Sequence, residues 1–125
     1  MALLRSAIRR RAALRWSVVV ASPKGPAGDQ WGDTWFGEDL AAALRRAGQQ
    51  AKVVRRAGAE SPARDEDDVV VVLRGLRRVV PRPALERGRR PTWLLWVISH
   101  PELVESDEPA QYDATFAASA HWSRA

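Results

Sequence analysis

One stretch constrains this chain more than any other: residues 68–73, Asp-Val-Val-Val-Val-Leu. Its apolar residues run without alternation, so a strand there must be buried on both faces. That is the signature of a central parallel strand lying under helices, because only crossover helices cover both faces of a sheet. Residues 92–98 (TWLLWVI) form a second fully apolar run, and residues 16–21 (WSVVVA) a third, rich in β-branched side chains. All three read as strands.

The stretches between them carry the other elements. Residues 22–33 are a loop punctuated by Pro23, Gly25, Pro26, Gly28 and Gly32. The spacing predicts a helix over 34–47, capped by Asp33 or Thr34, with Phe36, Leu40, Ala43, Leu44 and Ala47 on its apolar face. Gly48 sits where a helix-ending glycine belongs. Residues 51–55 read as a short strand, 56–67 as a polar loop, and 74–91 as an irregular stretch rich in Arg and Pro. Ser106 is positioned to cap a short helix over 107–112; residues 114–118 read as a last strand, and Ser119 can cap a helix after it. Trp93 and Trp96, three residues apart on one strand, should face opposite sides of the sheet. The order β–α–β–β–loop–β–α–β–α argues for an α/β fold: a Rossmann-like open, mainly parallel sheet with flanking helices. The last helix has little more than a turn of sequence, so the fold is expected to be incomplete at the C-terminus.

Composition excludes several classes. The chain has 125 residues and 46% hydrophobic content, enough for one packed domain. With Cys 0, disulfide scaffolds, Cys-ligated zinc and thiol nucleophiles are ruled out. With His 2, a multi-histidine metal centre is not expected, and neither is any cofactor. No run approaches the ~18 apolar residues of a membrane span. The net charge is +5, carried almost wholly by arginine. Arg5, Arg9, Arg10, Arg11 and Arg15 crowd the N-terminus, and Arg74, Arg77, Arg78, Arg82, Arg87, Arg89 and Arg90 form a second cluster. Aromatics are not interleaved with either cluster, and no zinc-finger or RNA-recognition signature is present, so no specific nucleic acid is expected.

Residues 1–15 read as a basic helical extension to a domain over 16–125. Leu4, Ile8 and Ala12 fall at helical spacing, with arginines on the other faces. A plain extension, a helix in weak contact with a membrane surface and a targeting peptide all fit it. A secretory signal does not, because no apolar core follows the charges.

In an open parallel sheet, ligands collect beyond the carboxyl ends of the strands. That rule selects Gly28, Asp29, Gly32, Asp33 and Thr34, then Arg74 and Gly75, then Ser99, His100 and Pro101, and finally Ser119 and His121. His100 follows an apolar strand and precedes a proline suited to a first helical position, so its imidazole can meet a phosphate or sugar hydroxyl, or simply close a turn. Arg74 can hold an anion or pair with a local carboxylate. Gly75 permits positive φ or a close backbone approach. Asp33 fits either a cap or a catalytic carboxylate. Asp67 and Asp68, at the amino end of a strand, read as solvated loop charges. The chain has no G-x-G-x-x-G, P-loop or G-x-S-x-G pattern.

Four segments carry a resemblance: GDQWGDTWFGEDLAAALRRAG (28–48), DVVVVLRGL (68–76), LLWVISHP (94–101) and YDATFAAS (112–119). In this order they resemble the N-terminal, acceptor-side half of a bacterial glycosyltransferase of the GT-B type. The resemblance implies a second Rossmann-like domain across a cleft, holding most of the nucleotide-sugar site. It implies a cytoplasmic enzyme moving a sugar from a nucleotide-sugar donor to an acceptor it does not identify. It places Gly32, Asp33, Arg74, Gly75, Ser99 and His100 on the cleft; Thr34 and Ser119, selected by their strand-end positions, are further candidate substrate contacts. Asp33 and His100 are then the candidate catalytic residues. The donor domain is not in these 125 residues, so the expectation is a partial enzyme without turnover. The other expectation is a stand-alone α/β module that binds a nucleotide, nucleic acid or acidic partner.

Overall fold

The computed structural model describes residues 13–55, 67–76, 78–81 and 91–117. Most of the basic extension, the loop over 56–66, most of the Arg/Pro-rich stretch, and Ser119, His121 and the final helix lie outside them. The described elements are β1 (Arg15–Val20), α1 (Gly32–Arg46), β2 (Gln50–Arg55), β3 (Val69–Arg74), β4 (Thr92–Val97) and β5 (Ala114–Ala117). They form one parallel sheet in the order β2-β1-β3-β4-β5.

The run at 68–73 behaves as its composition demands. All six residues of β3 are buried, and the strand pairs with β1 on one side and β4 on the other. Its side chains divide between two cores. Val71 and Leu73 join Val18, Val20 and Ala41 on the face under α1. Val70 and Val72 join Val19, Trp93, Leu95 and Val97 on the opposite face. There the loops after β3 and β4 supply the cover, through Val79, Val104 and Tyr112. Trp93 and Trp96 do fall on opposite faces. Each fully buried Val or Leu contributes about 1.5–3 kcal/mol against about 1 for a typical hydrogen bond, so these runs dominate the choice of fold.

The helix departs from expectation in two ways. It starts at Gly32, and its N-cap is Trp31 (φ −92°, ψ 131°) with no side-chain cap. Asp33 and Thr34 lie inside the first turn instead. Thr34 cannot cap because its Oγ1 is engaged 2.7 Å from both Ser22 Oγ and Gly28 O, pinning the β1–α1 loop. The sheet-facing side is only partly as expected: Leu40 and Leu44 pack against the core under α1, but Thr34, Gly37 and Ala41 are its buried residues, while Ala43 and Ala47 are exposed and Phe36 is 39% exposed. Small residues face the sheet, which lets the helix lie close to it. The C-terminus is as expected. Gly48 (φ +87°) donates to Arg45 O and Gln49 donates to Leu44 O, at 3.0 and 2.9 Å. This is the paired closure that favours glycine at that position.

The segment after β4 is the other correction. A capped helix over 107–112 does not form; a turn leads to a single 3₁₀ turn, Pro109–Gln111, without a side-chain cap. Pro109 has no N–H for a Ser106 cap to take, and the Glu108 carboxylate, which accepts from the Glu105 amide, is held by Arg74. Asp67 is also not a solvated loop charge. It is 1% exposed, accepts a hydrogen bond from Ser17 Oγ at 2.9 Å and lies 3.6 Å from Lys52 Nζ.

Candidate functional site at the β1/β3 switch point

From β1 the chain moves outward to β2, then crosses back to β3 on the other side of β1. The carboxyl ends of β1 and β3 therefore diverge, and a crevice opens between their loops. Three segments meet there: the first turn of α1, the residue after β3 and the loop after β4.

Gly75 is the centre of that meeting. A Cβ at this position would collide with the Asp33 carboxylate and stand 3.4 Å from Ser99 Oγ. Its φ is not positive, so the need for glycine comes from close approach rather than from an unusual backbone. Asp33, Gly75 and Ser99 are thus packed together from parts of the chain far apart in sequence.

His100 borders the same group. It is the described non-glycine residue with positive φ (φ 51°, ψ 52°), and it opens a 3₁₀ turn at Pro101–Leu103 without capping it. A left-handed conformation costs a residue with a Cβ about 1–2 kcal/mol, and such costs concentrate at working sites. The imidazole is exposed, with Nδ1 3.3 Å from Glu102 Oε1. The Glu102 carboxyl is held below its ordinary value, first by its own backbone amide and also by His100.

Asp33 sits half-buried beside this pair. Burial pushes its carboxyl above the ordinary value of 3.8, and the charge of His100 pulls the other way. A carboxylate with a raised pKa takes up a proton more readily than a solvated one, which suits a general base. Hydroxyl and imidazole groups close by suit hydrogen bonding to a polyhydroxylated or phosphorylated ligand. Among the described residues, no group of three or more metal-ligating side chains forms.

The remaining sequence-selected residues divide cleanly. Gly32 opens α1 on the exposed side, with open space around it. Thr34 is fully buried and holds the β1–α1 loop. Arg74 takes the local-carboxylate alternative. It is 2% exposed, and its Nε and Nη2 each donate to Glu108 at 2.9 Å. Further bonds run from Nη1 to Gly75 O at 2.6 Å and from Nη2 to Leu103 O at 2.9 Å. Arg74 therefore fixes the loops that carry Gly75, Ser99 and His100, and does not present a charge to a ligand.

Sequence reasoning missed Glu108, which is 1% exposed. Burial would raise its carboxyl, but hydrogen bonds from Arg74 and the Glu105 amide outweigh that and hold it below the ordinary 4.5. No local signal marks it, because its partner is 34 residues away. The same holds for Arg78, whose guanidinium meets Glu105 and Asp107 at 3.0 and 2.8 Å. No family model matches the chain, and no curated protein or solved structure matches it.

Proposed function

We propose that this domain forms the acceptor-side wall of a GT-B type glycosyltransferase, with Asp33 as the general base. The observation that supports this reading is the convergence of Asp33, Ser99 and His100 around Gly75 at the switch point. In the proposed reaction an acceptor hydroxyl gives its proton to the Asp33 carboxylate. Its oxygen bonds to the anomeric carbon of the donor sugar, and the nucleoside diphosphate leaves with the electron pair of the broken bond. Ser99 and His100 hold sugar hydroxyls or phosphate oxygens during the transfer. By the resemblance, the donor's diphosphate is held mainly by a second domain across a cleft, in a cytoplasmic enzyme.

The alternative, a basic binding module, draws less support. Of the second arginine cluster, the described members Arg74 and Arg78 are both taken up by carboxylates. Among the described residues no helix is long and apolar enough to cross a membrane.

The test is a binding survey by ligand-observed NMR with nucleoside-diphosphate sugars, free sugars and short RNA. Saturation transfer to a sugar or nucleotide sugar is expected, with affinity lowered about tenfold or more in Asp33→Asn and His100→Ala, the size of one charge-assisted contact. Binding of RNA alone, steeply weakened by salt and indifferent to both variants, would replace this reading with the alternative.

A further inference from the structure

Which hydrogen bonds the crevice can offer is set by the short turn after β4. His100 takes its left-handed conformation immediately before Pro101, whose ring fixes φ, and the 3₁₀ turn Pro101–Leu103 follows. Two residues on from His100, Glu102 brings its carboxylate back to the imidazole, with Oε1 3.3 Å from Nδ1. His100, Pro101 and Glu102 thus form one tight unit, in which a conformationally locked proline joins the ring to the carboxylate.

The chemistry of that contact has a direction. An ionised carboxylate accepts hydrogen bonds and donates none. Glu102 is kept ionised by its own backbone amide first, and by His100 as well. Nδ1 of His100 must therefore carry a proton. A neutral imidazole has a single N–H, so its other nitrogen, Nε2, holds a lone pair and can only accept. Among the described residues Nε2 has no hydrogen-bond partner. The Asp33 carboxylate is the other titratable group beside the ring, and in its ionised form it also only accepts. The Ser99 hydroxyl can do either. Arg74 is turned to Glu108 and to the carbonyls of Gly75 and Leu103. The side chains around Gly75 are therefore rich in acceptors and poor in donors.

We infer that Glu102 is a positioning residue: it fixes the His100 proton on Nδ1, so that the crevice takes a ligand hydroxyl at Nε2 and not a phosphate oxygen. A hydroxyl gives its proton to Nε2 and can accept from Ser99 through its own oxygen. A phosphate dianion has no proton to give, and it would meet a lone pair and two carboxylates. The inference rests on the sugar-transfer reading and narrows it. The His100–Ser99 edge, with its ring neutral, holds a polyhydroxylated sugar, and the donor's diphosphate is held elsewhere.

The chain has two histidines, His100 and His121, so nitrogen NMR of the histidine-labelled full chain shows two imidazoles, and His121→Gln assigns them. At alkaline pH, where neither ring titrates further, the shifts report which nitrogen holds the proton. The inference expects Nδ1–H to exceed Nε2–H in His100 by about fivefold or more, the size of one good hydrogen bond and the reverse of the preference of free histidine. Glu102→Ala should return the ring to the free preference. Glu105→Ala, which removes a neighbouring carboxylate held by Arg78, should not. Methyl glycosides of glucose, galactose and mannose, and separately inorganic phosphate, are then titrated into the unmodified chain. A glycoside should move the His100 Nε2 signal and phosphate should leave it in place. An Nε2–H ring in the unmodified chain, or an Nδ1–H ring that survives Glu102→Ala, would overturn the inference. So would phosphate that shifts Nε2 while the ring stays neutral. The inferred tautomer with no response to any probe would instead overturn the sugar-binding reading and leave the role of Glu102 established, so the two fail separately.

Discussion

His100 is held in a left-handed backbone conformation that its side chain makes costly. Its left-handed backbone costs a residue with a Cβ about 1–2 kcal/mol, which glycine does not incur. His100→Gly should therefore raise stability by about 1 kcal/mol in urea unfolding and still weaken ligand binding. A loss of stability would mean that the imidazole is a structural prop. Asp33 makes a related prediction with a definite pH sign. Its carboxyl is raised in the folded state, so the native protein is favoured at low pH and loses stability as pH rises through the folded value. Asp33→Asn should match the unmodified protein well below pH 3.8 and exceed it at pH 7. Unfolding curves at the two pH values would show this, and a variant less stable at pH 7 would contradict it. Gly75→Ala should displace the Asp33 side chain and weaken sugar binding more than it alters the melt, because the position needs space rather than a special φ.

At the scale of elements, the loop after β4 depends on one buried ion pair. Arg74 and Glu108 make two hydrogen bonds with almost no water contact, and Arg74 also holds the carbonyls of Gly75 and Leu103. Arg74→Met strands a buried carboxylate and should cost about 3–5 kcal/mol, with the double variant Arg74→Met, Glu108→Leu recovering much of it. Recovery separates a desolvation penalty from general loss of packing. The pair also sets an acid limit. Glu108 is depressed in the folded state, so its contribution is fully present above the ordinary 4.5 and is lost as pH falls through the folded value. Acid titration followed by tryptophan emission should show that loss in the unmodified protein and not in the double variant. The expectation of a Ser106-capped helix failed at this same place. Local propensity favoured a helix, and a partner 34 residues away claimed Glu108.

For the molecule as a whole, the sheet centre outweighs its edges. Val72 lies fully buried between β1 and β4, whereas Val54 on the outer strand is only half-buried. Val72→Ala should cost about 2 kcal/mol or more, and Val54→Ala less than half as much, because an edge site can relax and admit water. The existence of the five strands and the helix, and their parallel arrangement, was legible in the sequence. A continuous β-branched run has few ways to be buried on both sides, and the run at 68–73 met that requirement as β3. The rule that ligands gather beyond the strand ends also picked out Asp33, Gly75, Ser99 and His100 before any contact was visible. The face of α1 that meets the sheet was legible only in part. Leu40 and Leu44 do pack against it, but Gly37 and Ala41 lie deeper, because a Cβ at Gly37 would already stand 2.8 Å from the Val20 side chain. The roles of Arg74, Asp67 and Glu108 were not legible either, because ion pairs and buried hydrogen bonds join residues through space without a periodic signature. Periodicity and burial act along the chain, so the sequence by itself determined the elements and the parallel sheet. Only the folded structure decided which charges neutralise one another and which remain at the β1/β3 crevice.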